Sequence, residues 1–597
     1  MIFLTVLLTG CSGGSGVGDE TNPHSPASLS ALTLSSGNLD QIFQPVLTTY
    51  TTTQGFLSQS LRVIPTAVDP AATITVNGEP VDSGQASQAI PLEEGAETVI
   101  TIAVTEAGGA TTVTYTLDAT RQLAASFAQQ AYAKASNTGA NDQFGHSVAL
   151  SGDTLAVGAP SEGSDDTGID GDQHNDDASG SGAVYVFTRD AGGTWSQQAY
   201  IKASNAEAGD QFGYSLALSG DTLAVGANFE ASNASGINDD ESNNDLLASG
   251  AAYVFTRDGA GTWSQQAYVK ASNPGAFDAF GYSVALSGDT LAVGAFGEDS
   301  IATGIGGDES NNDALESGAA YVFTRDTAGI WSQQAYVKAS NTGDDDVFGW
   351  SIALSGDTLA VGARQEGSDA TGVDDTQSNN DANNSGAVYM FTRDALGDWS
   401  QQAYVKASNT EASDFFGSSV TVSGDTLAVG APSEDSDAIG VNGDESNNDK
   451  EDSGAVYMFT RNELDNWSQQ AYVKASNTET LDSSFGQSVA LSGDTLVVGA
   501  HLEKSDSIGI NGDQTGTGPS SYGAAYAFTR DEGGIWTQQA YLKASNTGAS
   551  DQFGWSVALF GDTVAVGAVA EDSDATGMDD DQDNDDASGS GAVYVFK

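Results

Sequence analysis

"GAPSEGSDDTGIDGDQHNDDASGSGAVYVF", residues 158–187, begins and ends like β-sheet and carries an acidic, glycine-rich insert between the two ends. The same plan returns seven times. Phe-Gly pairs begin at Phe144, Phe212, Phe280, Phe348, Phe416, Phe485 and Phe553, spaced by 68 residues with one interval of 69. A fixed period of that length means a solenoid or a propeller. One unit reads as four strands: "FGHSVAL" (144–150), "DTLAVGA" (153–159), "GAVYVFT" (182–188) and "WSQQAYIKAS" (195–204). They are joined by Ser151-Gly152-Asp153, by the insert, and by "RDAGG". Four short antiparallel strands per repeat make a propeller blade. The final repeat stops after its third strand at "SGAVYVFK", whereas "FAQQAYAKAS" (127–136) is a fourth strand with no blade before it. Pairing the two closes the ring and leaves no edge to template aggregation.

The first part of the chain has another texture. Residues 28–121 are rich in Thr, Val, Ile and Gly, with an alternating stretch, "TVITIAVTEAGGATTVTYTLDATR", broken by a Gly-Gly turn. That pattern gives a small antiparallel sandwich. The expected fold is therefore all-β: an N-terminal β-sandwich followed by a seven-bladed β-propeller (124–597), closed by an N-terminal strand that completes the last blade.

Composition narrows the partners. The 597 residues carry a formal charge of -63 with only 19 Lys plus Arg, so nucleic acid and anionic membrane surfaces are repelled. Cations, metal ions and neutral molecules such as glycans remain. The one cysteine, Cys11, excludes an intrachain disulfide. It ends the short apolar run "MIFLTVLLTGC", which resembles a bacterial lipobox and is too short to span a bilayer. That resemblance implies a signal peptide at 1–10, lipidation at Cys11, a flexible tether at 11–27 and a cell-surface or outer-membrane location. The run lacks the Lys or Arg that precedes the apolar core of an export signal, which leaves open a start upstream of Met1. An ordinary secretory peptide and a secreted protein are the alternative.

Alignment of the seven inserts within the chain separates kept from drifting positions. A Glu follows the Gly-Ala in all of them: Glu162, Glu230, Glu298, Glu366, Glu434, Glu503 and Glu571. A Ser stands two further on, as at Ser164 and Ser573, and then a Gly followed by Ile, Val or Met, as at Gly168-Ile169 and Gly577-Met578. An Asp/Asn-rich core comes next, for example "DGDQHNDD" and "DDDQDNDD". The pattern predicts a folded loop with an apolar plug and fixed carboxylates. Calcium takes about six to eight oxygen ligands, and linear sites supply them from acidic residues at alternate positions. The seventh copy fits best, with Asp579, Asp581, Asp583, Asp585 and Asp586 as candidate ligands and Asn584 expected in the left-handed turn position. Asp170, Asp172, Asp444 and Asp449 are the corresponding candidates in the first and fifth copies. A hydrated acidic loop without metal is the alternative reading.

The repeat resembles the FG-GAP repeat of integrin α-type propellers over residues 124–597, carried by Phe144-Gly145 and Gly158-Ala159-Pro160. The N-terminal region, through "LSALTLSSGNLDQIF", "ATITVNGEPVDSG" and "TVTYTLDATR", resembles the cadherin-like β-sandwich domain, which implies a spacer. The propeller resemblance implies that all seven inserts share one face. It also marks a departure: integrin-type calcium loops lie where this chain has only Ser151-Gly152-Asp153, so those ligands do not carry over.

Other chemistry is poorly supported. Trp195 and Tyr200 with their repeats suit blade packing better than a sugar platform. The histidines, His24, His146, His174 and His501, stand at unrelated repeat positions without zinc spacing. No Ser, His and acid set recurs in a catalytic context. The expected function is a non-catalytic cell-surface lipoprotein that binds an extracellular protein or glycan through an acidic, calcium-binding face. The alternatives are a polysaccharide hydrolase or lyase with its site in the propeller channel, and a structural envelope protein without a ligand.

Overall fold

The computed structural model describes residues 27–478, 483–516 and 518–597. The lipobox, Cys11 and residues 11–26 of the expected tether lie outside the described residues. The chain divides into two compact units, one of residues up to Thr53, Arg62–Gln88 and Thr98–Ala119, the other of Gln54–Leu61, Ala89–Glu97 and Thr120–Lys597.

The first unit is built on antiparallel sheet. Leu29–Leu34 pairs with Val63–Ala67, while Thr49–Gln54, Thr112–Arg121, Glu97–Thr105, Thr73–Val76 and Glu79–Val81 lie side by side in that order. Alternation puts Ile100, Ile102 and Val104 inside with Tyr50, Tyr115 and Leu117, all fully buried. The Gly-Gly turn falls where expected, with Gly108 and Gly109 at φ +98° and +76°.

The second unit is a ring of seven four-stranded blades. Blade 1 runs Ser147–Ser151, Thr154–Ala159, Ala183–Arg189 and Trp195–Ile201, each strand antiparallel to the next. The outer strand of blade 7 is Gln129–Ala133, paired to Ala592–Phe596, so the expected closure is observed. The second strands ("TLAVGA" in most blades) are buried at every position, because both their faces pack against neighbouring blades. Each apolar cluster spans two blades, and one joins Val593 and Val595 of blade 7 to Leu155, Tyr185 and Phe187 of blade 1. Fully burying one Val, Leu or Phe contributes about 1.5–3 kcal/mol.

Two glycines of each repeat explain its signature. The Oγ of Ser147 donates to the carbonyl of Gly213 in the next blade at 2.7 Å, and the same bond recurs round the ring to Ser556 and Gly145. This approach leaves no room at Gly158, where a Cβ would lie 2.0 Å from that carbonyl oxygen. The first strand begins at Ser147 rather than at Phe144 in blade 1 but at Phe348 and Phe553 in blades 4 and 7, although Gly145, Gly349 and Gly554 share a φ of +89° to +91°. Phe144 instead turns inward, edge-on to Tyr185 at 5.3 Å. The outer strand also stops short of the expected Ser204, because Lys202 leaves it to enter the blade interior.

Candidate functional site

Each insert is two structures in series. The near half is an anchor. Lys202 and Glu162, each 1% exposed, form an ion pair at 2.7 Å. Glu162 also accepts from the Tyr200 hydroxyl at 3.0 Å and from Asn137 Nδ2 at 3.0 Å, the latter reaching across from the preceding blade. Lys202 donates to Ser181 Oγ at 2.7 Å, and Ser164 bonds the Tyr200 hydroxyl. Burial pushes the Lys202 ammonium below its usual range, and the Glu162 carboxylate opposes that shift. The ion pair is present in all seven blades, from Lys270–Glu230 to Lys134–Glu571. The best-kept acidic residue of the insert is therefore a structural ion pair.

The apolar plug is observed. Ile169 bridges antiparallel to Ile201 on the outer edge of the blade and packs into its core, as Met578 does against Ala133. Lys202 N–H donates to Gly168 O at 2.7 Å and Asp170 N–H to Tyr200 O at 2.8 Å, so the insert adds a short fifth rung to each sheet.

The far half holds the candidate metal ligands. Asp170 and Asp579 sit in the left-handed conformation at φ +55° and +54°, each accepting a backbone N–H through Oδ1, from Tyr200 at 3.0 Å and Tyr132 at 2.9 Å. Asn238, Asn442 and Asn511 do the same in their blades, and Gly306 takes the same backbone at φ +66° without a side chain, so the left-handed conformation, rather than a charge, is what the position requires. Asp172, Asp444 and Asp581 each close a local turn, accepting the N–H of His174, Ser446 and Asp583. The Ser446 hydroxyl and N–H hold the Asp444 carboxyl below the usual carboxylate range. Asn584 corrects an expectation: it has no left-handed backbone, and it staples the loop instead, its Oδ1 accepting from Asp574 and Asp586 and its Nδ2 donating to Asp581 O. Asn447 accepts likewise from Asp437 and from Asp449. Asp583 and Asp585 are exposed, as are the other seven candidates. Among the described residues, no three acidic, His or Cys side chains stand close enough together to hold a metal ion.

Three features escaped the sequence reading. A buried Asp precedes the Phe-Gly in six blades, and burial, with the nearby Glu adding to it, raises its pKa to about 6 at Asp142, about 7 at Asp210, Asp278, Asp346 and Asp551, and about 8 at Asp414. Asp142 accepts the N–H of Gly139, the residue three before it. Secondly, Trp195 lies beneath the Arg189 guanidinium at 5.1 Å, and Arg189 pairs with Asp153 at 2.7 Å, so the short turn where integrin-type loops differ serves an ion pair. The six outer-strand tryptophans are packing residues, from 2% to 7% exposed. Thirdly, His146 and His501, unrelated in repeat position, meet the same ring, Trp555, at 5.8 and 5.0 Å. The signal was available: the residues after each Phe-Gly and after each Gly-Ala differ from repeat to repeat between strands that are nearly uniform.

Comparison with known proteins agrees with this geometry. A family model described as FG-GAP repeat matches residues 127–187, 195–255, 263–323, 331–391, 399–459, 467–528 and 536–596. The chain belongs to the FG-GAP repeat family. Ahead of these repeats, a model described as cadherin-like beta sandwich domain matches residues 29–122. A relative from Evansella cellulosilytica, whose name extends no further than membrane protein, is 37% identical over 103 residues, 17% of this FG-GAP chain. The matched part is 15% of that relative's length. Solved structures with a similar course include a hypothetical selenium-binding protein from Sulfolobus tokodaii, at 8% identity and a TM-score of 0.33, covering 78% of this chain and 89% of that one. A quinonprotein alcohol dehydrogenase-like protein from Bacteroides thetaiotaomicron has 8% identity and a TM-score of 0.30, covering 85% and 97%. A rhamnogalacturonan lyase has 10% identity and a TM-score of 0.26, covering 87% and 91%. Likeness at this level carries no argument about activity.

Proposed function

We propose that this FG-GAP propeller is a non-catalytic binding protein, held at a bacterial cell surface by a lipid anchor, that offers its acidic insert face to an extracellular protein or glycan. The observation that supports it is the division of charge within each insert. The buried Glu is engaged with the Lys, Tyr and Asn of its own network, whereas the tip carboxylates face solvent. A glycosidase needs two carboxyl groups of different proton affinity flanking an open cleft. The buried aspartates have raised pKa values of the kind general acids use. Their recurrence in six blades, each tied to a backbone N–H, fits a part of the scaffold better.

Calcium at the seventh tip is the narrower part of this proposal. Its ligands would be Asp581, Asp583, Asp585 and Asp586, with Asp579 contributing its second oxygen. No helix among the described residues is long and apolar enough to cross a membrane.

The test exposes the full chain to arrays of bacterial and host glycans and surface proteins, with and without calcium. Saturable capture that is lost when tip aspartates become asparagine supports the reading. Turnover of any captured polymer refutes the non-catalytic part, and calorimetry without a calcium heat refutes the metal part.

A further inference from the structure

Around the propeller axis the seven repeats stop being alike. The first strands touch one another in succession round the ring, that of blade 1 meeting that of blade 7, so they line the axis. The residue after each Phe-Gly projects from the start of that strand, and these are His146, Tyr214, Tyr282, Trp350, Ser418, Gln487 and Trp555. Five of them form a continuous crescent: Trp555 to His146 at 5.8 Å, His146 to Tyr214 at 4.7 Å, Tyr214 to Tyr282 at 5.1 Å and Tyr282 to Trp350 at 4.6 Å. The crescent is open at blades 5 and 6, where Ser418 and Gln487 replace rings. All of these side chains are half-buried.

The opening is flanked by a second set, the residues after each Gly-Ala. Arg364 lies over Trp350 at 3.8 Å and over Phe415 at 4.9 Å. His501 stands edge-on to Trp555 at 5.0 Å. Both carry a buried nitrogen without a hydrogen-bond partner, Nε of Arg364 and Nδ1 of His501. His501 is 8% exposed. Among the described residues no carboxylate pairs with Arg364. Buried polar groups in folded proteins almost always have partners, so an unpaired nitrogen on each side of this opening, at Arg364 and His501, points to a ligand that supplies the partner.

We infer that the axial opening between Trp350 and Trp555 binds an uncharged saccharide ring. The half-buried rings of Trp350, one face of which Arg364 covers, and Trp555 offer apolar contact for its C–H face. Arg364 as donor, His501 as a group that accepts or donates, and Ser418 Oγ as an acceptor whose own proton goes to Phe415 O at 2.8 Å, match hydroxyls, which do both. The absence of charge follows from the setting: the inserts leave the blades beside this opening, and a chain of net charge -63 repels anions that approach it. This inference rests on the reading of the chain as a binding protein and names its ligand class.

The experiment titrates neutral oligosaccharides, and uronate-containing ones as the contrast, into the full chain while following tryptophan emission and calorimetric heat. Of the eight tryptophans only Trp350 and Trp555 lie outside the buried outer strands, so the optical change arises from the opening. The expected result is saturable quenching by a neutral sugar, weakened at least tenfold by Trp350→Ala and by His501→Ala and unchanged by Asp581→Asn. Unchanged melting temperatures show that these variants fold. No neutral sugar bound at millimolar concentration, or binding indifferent to both axial variants, overturns the site. Binding of uronates alone overturns the uncharged ligand. Capture of a protein but no sugar sinks this inference and leaves the binding function standing, whereas cleavage of the bound sugar keeps the site and refutes the non-catalytic reading.

Discussion

Glu162 and Asp172 stand ten residues apart in the same acidic insert and play opposite parts. Glu162 is sealed inside the blade against Lys202, while Asp172 lies on the exposed tip and closes a turn with its own neighbour. In sequence both are carboxylates kept through most or all of the seven copies. The difference teaches that repetition marks whatever every blade needs in order to fold. A ligand needs only one place, and the ring offers a single axis, so binding chemistry is better sought where the copies diverge.

The comparison breaks most visibly at the anchor. Glu162→Ala leaves the Lys202 ammonium buried without its partner, and the expected loss is about 3–5 kcal/mol in urea unfolding. Replacing both partners by Leu and Met should recover most of it, since an apolar pair of similar volume needs no desolvation of charge. A recovery of none would mean that the ion pair itself, and not its completeness, holds the insert. Gly158→Ala comes next. Its new methyl group meets the carbonyl of the neighbouring blade, and overpacking of this kind costs about 1–3 kcal/mol.

Proton linkage sharpens the contrast between buried and exposed carboxylates. The six buried aspartates bind protons more tightly in the folded state, with pKa values of about 6 to about 8. Between roughly pH 4 and 8 the folded state therefore holds more of their protons, and their contribution raises stability as pH falls through that window. His146 and His501 oppose this only below about pH 6.5, because burial lowers their pKa to about 4. The exposed tips, whose pKa values are depressed at Asp240, Asp308 and Asp444, begin to lose their stabilising charge only near and below the usual carboxylate range. Melting temperature should rise from pH 8 to about pH 4, less steeply below about pH 6.5 where the two histidines oppose the six aspartates, and fall at lower pH. Replacing Asp346 and Asp414 by Asn should flatten the upper limb.

Smaller effects are expected at the tips. Asp170→Asn keeps the acceptor for Tyr200 N–H and should be neutral, whereas Asp170→Ala removes it and should cost about 1 kcal/mol. Asp444→Asn and Asp585→Asn should stay within about 0.5 kcal/mol in the absence of calcium. A larger loss, or a calcium-dependent one, would move the tips from solvated surface to built site.

Much of this architecture was legible in the residues. The 68-residue period, the orphan strand at 127–136 and the truncated last repeat require a closed ring, because pattern and count are properties of the chain itself. The plug at Ile169 was legible too, since an apolar residue kept amid drifting acidic neighbours has to be buried. Strand ends were less so: the first strand starts at Ser147 in blade 1 but at Phe348 in blade 4, and only the approach of the next blade explains Gly158. The partners of Glu162 were not legible either. Lys202 lies 40 residues on, and Asn137 comes from another blade.

The sequence by itself therefore determined the number of blades, their closure and the sign of the face, because periodicity, alternation and net charge survive without coordinates. Only the tertiary structure decided which carboxylates are buried and which are free, and it alone gathered His146, Arg364, His501 and Trp555 around one axis. Those residues come from four different repeats, and proximity across a ring leaves no trace in local spacing.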